Sequence, residues 1–266
     1  MAATGGLTRR LARLERTWPV QPPVPRLDPV ALATRAGLPP DGWQGAVLRA
    51  QAPRVLLNCS RQSGKSSVAA VLAVHCALYE APALVLLVSR AQRQAQELFR
   101  KCLDVYRATG RLVPTDAESG LRIELENGSR IIALPGAEET TRGYSGVRLL
   151  AIDEASRVSD ALYHALRPTL AVSAGRLLAL STPWGQRGWW HAAWVSDEPW
   201  LRVEVPATQC PRIPPAFLEE ERRAQGELKY ASEYECRFVD VEDSVFSGEQ
   251  VQAALDPTVA PLWEVA

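Results

Sequence analysis

Apolar positions along the chain change texture in a regular order. RVLLN at Arg54–Asn58 is a short continuous apolar run that ends in a polar, Gly-containing turn, and Lys65–Tyr79 follows with amphipathic spacing, so the pattern predicts strand, loop, helix. ALVLLVS, Ala83–Ser89, is a second buried strand. The stretch AQRQAQELFRKCLDVYRATG places apolar residues at helical spacing, with Gly110 as its stop. LRIELENGSRIIALP alternates on both sides of Asn127-Gly128, which predicts a β-hairpin through a type I′ turn. Arg148–Glu154 and Arg176–Pro183 are further apolar runs ending in polar residues, as parallel strands do when their carboxyl ends face a site. After Trp200 come an edge-like strand, LRVEVP, and a charged helix near Pro215–Tyr234. Strands alternating with helices predict an α/β domain with a mostly parallel central sheet flanked by helices, plus the hairpin.

Composition alters this picture only at the edges. Of 266 residues, 47% are hydrophobic and 23% charged, without the low-hydrophobicity, high-charge signature of disorder. Thirty basic residues balance thirty acidic ones, so a grip on nucleic acid has to come from a local basic patch or from oligomerisation. Residues 1–38 are rich in Pro and Arg and read as an arm, 39–236 as the folded domain, and 237–266 as a hinge or linker remnant. No apolar run reaches the roughly 18 residues of a membrane span, and Met1–Arg16 lacks the apolar core of a signal peptide, so the expected location is the cytoplasm. The five cysteines are widely spaced and odd in number, and read as reduced, mostly buried thiols.

Two motifs carry chemistry. In CSRQSGKSS, Cys59–Ser67, the Gly64-Lys65-Ser66 triplet stands where a strand turns into a helix. Backbone N–H groups of such a loop point at phosphate oxygens, the lysine neutralises β and γ charge, and the serine hydroxyl is a ligand for Mg²⁺. Cys59 occupies the position where the usual motif begins with glycine. The second motif, LLAIDEAS, delivers Asp153 and Glu154 together at a strand end, the first suited to hold Mg²⁺ and the second to deprotonate an attacking water. An acidic pair here also serves as the cap and first turn of a following helix, a role compatible with catalysis.

In order, PPDGWQG, SRQSGKSS, LLAIDEAS and LALSTPWG resemble the motifs of the large terminase subunit, the DNA-packaging motor ATPase of tailed bacteriophages. The resemblance runs from about Pro39 to Phe246. It implies a P-loop NTPase fold of the additional-strand catalytic-glutamate (RecA-like) type, with another strand between those that carry the P-loop and the acidic pair. It further implies ATP as substrate and Mg²⁺ as cofactor. Gln44 would contact adenine. Ser60, Arg61, Gln62, Ser63, Gly64, Lys65, Ser66 and Ser67 would form the phosphate loop. Ser66 and Asp153 would hold the metal, Glu154 would activate water, and Thr182 would sense the γ-phosphate. In ETTRGYSGVRLL, Arg142 is the candidate arginine finger acting on a neighbouring subunit, with Arg61 the competing finger in cis.

The partners so implied are double-stranded DNA, a portal protein, a small terminase subunit and further copies of the chain in a ring on the portal, with a monomer expected in isolation. Full-length large terminases continue into a nuclease. Here SEYECRFVDVEDSVFSG looks like the hinge to it, and only about 20 residues follow, so no nuclease activity is expected from this chain. The alternative class is a helicase-like or transposition-associated P-loop ATPase acting on nucleic acid, which predicts a second motor domain or helicase motifs. A binding module that has lost catalysis conflicts with the intact Lys65, Asp153 and Glu154.

Overall fold

The strand Leu84–Ser89 is buried at all six positions, and the strands Arg54–Cys59, Val147–Asp153 and Arg176–Ser181 are nearly so, because the sheet is covered on both faces. That double burial is why these strands read as continuous apolar runs and not as alternating ones. The computed structural model describes residues 25–136 and 143–239, together with position 254. In chain order the helices are α1 (Pro29–Arg35), α2 (Gly42–Arg49), α3 (Lys65–Tyr79), α4 (Gln92–Ala108), α5 (Asp160–Leu166), α6 (Gly188–Val195), α7 (Pro215–Gln225) and α8 (Glu227–Glu235). The strands are β1 (Arg54–Cys59), β2 (Leu84–Ser89), β3 (Thr115–Glu118), β4 (Arg122–Leu125), β5 (Arg130–Pro135), β6 (Val147–Asp153), β7 (Arg176–Ser181) and β8 (Leu201–Val205).

The strands form one sheet in the order β3-β4-β5-β2-β6-β7-β1-β8, parallel from β5 to β8 and antiparallel at the β3-β4-β5 end. β7 lies between β1 and β6, which is the additional strand of the expected P-loop class. Alternate residues separate the two hydrophobic layers. Val55, Leu57, Val85 and Leu87 pack with α1 to α4, whereas Leu56, Leu86, Val88 and Ile152 pack with α5 and α6. Registers Asn58↔Ser181, Asp153↔Leu180 and Ser89↔Asp153 bring the carboxyl ends of β1, β7, β6 and β2 to one edge. Among the described residues, no helix is long and apolar enough to cross a membrane, and all five cysteines are free and buried.

Three local expectations are corrected. Of the two turn residues in the hairpin, Gly128 alone has positive φ (82°), so the connection is not type I′. The Gly128 N–H donates to the Leu125 carbonyl and the Leu125 N–H to that of Ser129, which makes Glu126–Gly128 a three-residue loop with glycine at its left-handed position. Asn127 is held instead by its side chain, which donates to the Ala77 carbonyl and accepts from the Ser129 N–H. The charged helix is two helices, broken at Gly226, whose φ of 77° and ψ of 162° lie outside helical space. Finally, α1 stands within the segment read as an arm, yet Leu32 is fully buried in the core. Asp28 caps this helix by accepting from the Val30 N–H, and Pro29 supplies a preset φ at its start, so the prolines here begin a helix instead of preventing one.

Leu32→Ala should therefore lower stability by about 2–4 kcal/mol in urea unfolding. A loss below about 0.5 kcal/mol would mean that α1 is an appendage.

Candidate active site

The loop after β1 is built on left-handed backbone. Gln62 (φ 59°) and Gly64 (φ 90°) both take positive φ, an alternation that turns successive N–H groups toward one concavity at the start of α3. Glycine suits position 64 because of its φ, and a Cβ there would stand 2.6 Å from Gln44 Nε2, so that side chain would have to move. Lys65 is buried and folds back over the loop, where Nζ donates to the Ser60 carbonyl at 3.4 Å. Ser66 and Ser67 continue the first turn of α3, with the Ser67 N–H donating to the Gly64 carbonyl.

The loop is pinned from outside. Ser60 is fully buried, and its N–H donates to the Val205 carbonyl at the end of β8. The Arg61 N–H donates to the Glu233 carbonyl on α8, and its guanidinium pairs with the Glu233 carboxylate at 2.9 Å. Ser63 is buried, and its carbonyl accepts from both Gln44 Nε2 (3.3 Å) and Arg212 Nη2 (3.0 Å).

Asp153 and Glu154 sit where the registers require, beyond β7 from the loop. Asp153 is buried, and the loss of solvent together with the Glu154 charge lifts its carboxyl to about 6, against the opposing pull of Lys65. Its Oδ1 accepts the Glu154 N–H at 3.0 Å. Glu154 itself is half-buried in left-handed backbone (φ 52°, ψ 42°), a conformation costly for a residue with a side chain and one that the surrounding turn must enforce. Ser156 supplies that constraint through Ser181 on β7: Ser181 Oγ accepts the Ser156 N–H at 3.2 Å and lies 2.7 Å from Ser156 Oγ. Thr182 follows, buried, and the Pro183 carbonyl accepts from Ser232 on α8. The expected loop residues, Asp153, Glu154 and Thr182 thus meet at one sheet edge. Gln44 lies against the loop with Oε1 accepting the Asp41 N–H, and Arg142 lies outside the described residues.

The donor set suits Mg²⁺. A buried carboxylate that holds its proton this tightly favours a nearby cation, and Mg²⁺ takes few protein oxygens, filling its octahedron with water and phosphate. Among the described residues, no group of three or more His, Cys, Asp or Glu residues is placed to hold a metal.

The family model for the N-terminal part of terminase large subunits of the T4likevirus type matches residues 56–253, well over half of the chain. The chain belongs to this terminase large-subunit family. The large terminase subunit of Thermus phage G20c is 25% identical over an alignment covering 80% of this chain and 51% of that protein, and that of Thermus virus P23-45 matches with the same figures. The chain spans about half the length of these curated relatives. In fold it is similar to the large terminase ATPase domain of Thermus phage P74-26, with a TM-score of 0.71 and 21% identity over 80% of this chain and 100% of that one. It also resembles the large terminase of a second, thermophilic bacteriophage, solved in complex with ADP, with a TM-score of 0.59 and 10% identity over 70% of this chain and 48% of that one.

Three residues of this terminase chain's site escape a sequence reading. Arg212 and Glu233 hold the loop from distant segments, Asp41 fixes Arg212, and of the three only Asp41, in PPDGWQG, lies in a recognisable motif.

The raised Asp153 carboxyl has a definite consequence for stability. The native state binds this proton more tightly than the unfolded chain does, so its contribution is fully present below about pH 4 and lost as the pH rises through 6. Asp153→Asn should thus be more stable than the parent at pH 7.5, by about 1–3 kcal/mol, with the gain vanishing near pH 4 in thermal melts. A variant less stable than the parent at pH 7.5 contradicts this balance.

Proposed function

We propose that this chain hydrolyses ATP at the carboxyl edge of its sheet and, as the motor domain of a viral genome-packaging terminase, couples hydrolysis to translocation of double-stranded DNA into a procapsid. The observation that carries the reading is the placement of Lys65 and the Asp153–Glu154 pair on opposite sides of β7 at one edge. It gains support from the large terminase of the thermophilic bacteriophage, solved in complexes with ADP and with ATP-gamma-S.

In this reading the loop N–H groups from Ser63 to Ser66 receive the β- and γ-phosphate oxygens, and the Lys65 ammonium neutralises their charge. Ser66 and Asp153 would hold Mg²⁺, whose positive charge would offset that of the phosphates. The Glu154 carboxylate orients a water and takes its proton as the water oxygen bonds to the γ-phosphorus and the bond to the ADP oxygen breaks. Thr182, at the end of β7, senses loss of the γ-phosphate. Ser181 ties β7 to the Glu154 turn, and Ser232 on α8 bonds the next carbonyl along, so a shift of this loop reaches α8. Double-stranded DNA, a portal, a small subunit and neighbouring copies of the chain in a ring complete the proposed machine, at work in the host cytoplasm.

Lys65→Ala and Glu154→Gln should each lower turnover by about 10²-fold or more, but they should part in binding. Calorimetry should find ATP affinity lost in the first and within about threefold of the parent in the second. Equal loss in both contradicts the assigned roles.

Arg142 is proposed to act in trans, stabilising charge on the transferring phosphoryl of a neighbour, with the isolated chain mainly monomeric and a weak ATPase. Mixing Glu154→Gln subunits, which lend Arg142, with Arg142→Ala subunits, which retain the base, should restore part of the turnover under assembling conditions, against a finger effect of about 10³-fold or more. Full activity of assembled Arg142→Ala alone would transfer the role to Arg61.

A further inference from the structure

Beside the phosphate loop lies a cavity of about 270 Å³, walled by Leu38, Pro39, Gln44, Gly64, Val68 and Arg212. It is continuous with the loop at Gly64 and Ser67, and one side is apolar, as suits a flat heteroaromatic ring. Arg212 forms another side and arrives from far along the chain, in the segment between β8 and α7. Its side chain is about half exposed, yet its position is tightly specified. Nη1 donates to Asp41 Oδ1 at 2.7 Å, Nη2 pairs with Asp41 Oδ2 at 2.7 Å, and Nη2 also donates to the Ser63 carbonyl at 3.0 Å. The fork of the guanidinium is thereby used by a carboxylate on one side and a loop carbonyl on the other. None of these in-plane contacts covers the planar face of the group, which is a wall of the cavity.

We infer that Arg212 is a base-binding residue of this site, stacking the face of its guanidinium on the nucleotide base while Asp41 and the Ser63 carbonyl hold its edge. The inference rests on the proposed ATP site and adds a residue to it. Gln44 shares the arrangement, since its Nε2 donates to the same Ser63 carbonyl and its Oε1 accepts the Asp41 N–H, so the cap of α2, the phosphate loop and Arg212 form one hydrogen-bonded frame around the cavity. A guanidinium already held at Nη1 and Nη2 loses little freedom on stacking, and its charge is attracted to the ring face. With Nη1 and Nη2 engaged by Asp41 and the Ser63 carbonyl, the contribution proposed for Arg212 comes through the plane of its guanidinium.

The test separates base from phosphate. Affinities of ATP and of inorganic tripolyphosphate are measured by calorimetry for the parent, Arg212→Ala and Arg212→Lys, with melting curves to establish folding. The lysine variant keeps a cation for Asp41 but removes the plane. Both variants should bind ATP about tenfold more weakly while tripolyphosphate affinity stays within about twofold. Parallel loss of both ligands would mean that Arg212 acts by shaping the loop through Ser63, and full recovery in Arg212→Lys would mean that charge alone suffices; either result overturns the base role. A parent chain that binds tripolyphosphate as well as ATP also overturns it. A parent that binds neither ligand would instead remove the ATP site itself.

Discussion

Lys65 and Asp153 are both buried at the carboxyl edge of a largely apolar sheet, and this pairing of unsolvated charges is the constraint around which the domain is arranged. A buried charge is tolerated only where partners compensate for lost water. The lysine folds onto a carbonyl of its own loop, and the aspartate accepts a neighbouring N–H while its carboxyl is pushed toward the protonated form. The site is therefore held at some cost in stability, in the manner of functional sites that a fold must over-determine.

The means of over-determination are visible around the edge. β7, inserted between β1 and β6, sets the spacing between loop and acidic pair, and its last residue fixes the strained Glu154 turn through Ser156. From the other side α8 reaches three elements at once. Glu233 holds Arg61, Ser232 holds the Pro183 carbonyl, and the Cys236 carbonyl just beyond the helix accepts from Asn58 on β1. These contacts connect the loop, the strand end after β7 and the P-loop strand to a single helix. That connection gives the proposed coupling a physical route, because displacement of one contact strains the other two.

Much of this was readable from the chain because the relevant signals are local. RVLLN followed by Gly64 and an amphipathic stretch specified β1 and the bounds of α3, and the runs Arg148–Glu154 and Arg176–Pro183 located β6 and β7 to within two residues. That a strand separates β1 from β6 came from resemblance, and the rest of the strand order was not legible, since hydrophobic pattern says nothing of which parallel strand neighbours which. The polar β3, TDAE, carries no period-two signal and is a strand because β4 pairs with it. α1 was obscured by the prolines around it, although Asp28-Pro29 is itself a helix-start signal. The roles of Arg212 and Glu233 arise from tertiary approach to Ser63 and Arg61 across more than a hundred residues, and neither has a sequence signature.

Everything proposed for this edge turns on one position, that of the ATP γ-phosphate between the Gly64–Ser66 turn and the Asp153–Glu154 pair. The most direct measurement is a crystal structure of the chain with Mg²⁺ and a slowly hydrolysed ATP analogue. The triphosphate is expected over the N-terminus of α3, with Lys65 Nζ turned from the Ser60 carbonyl onto phosphate oxygens and the metal beside Ser66 and Asp153. A triphosphate bound away from this edge, with Lys65 still on Ser60, would contradict the proposed site.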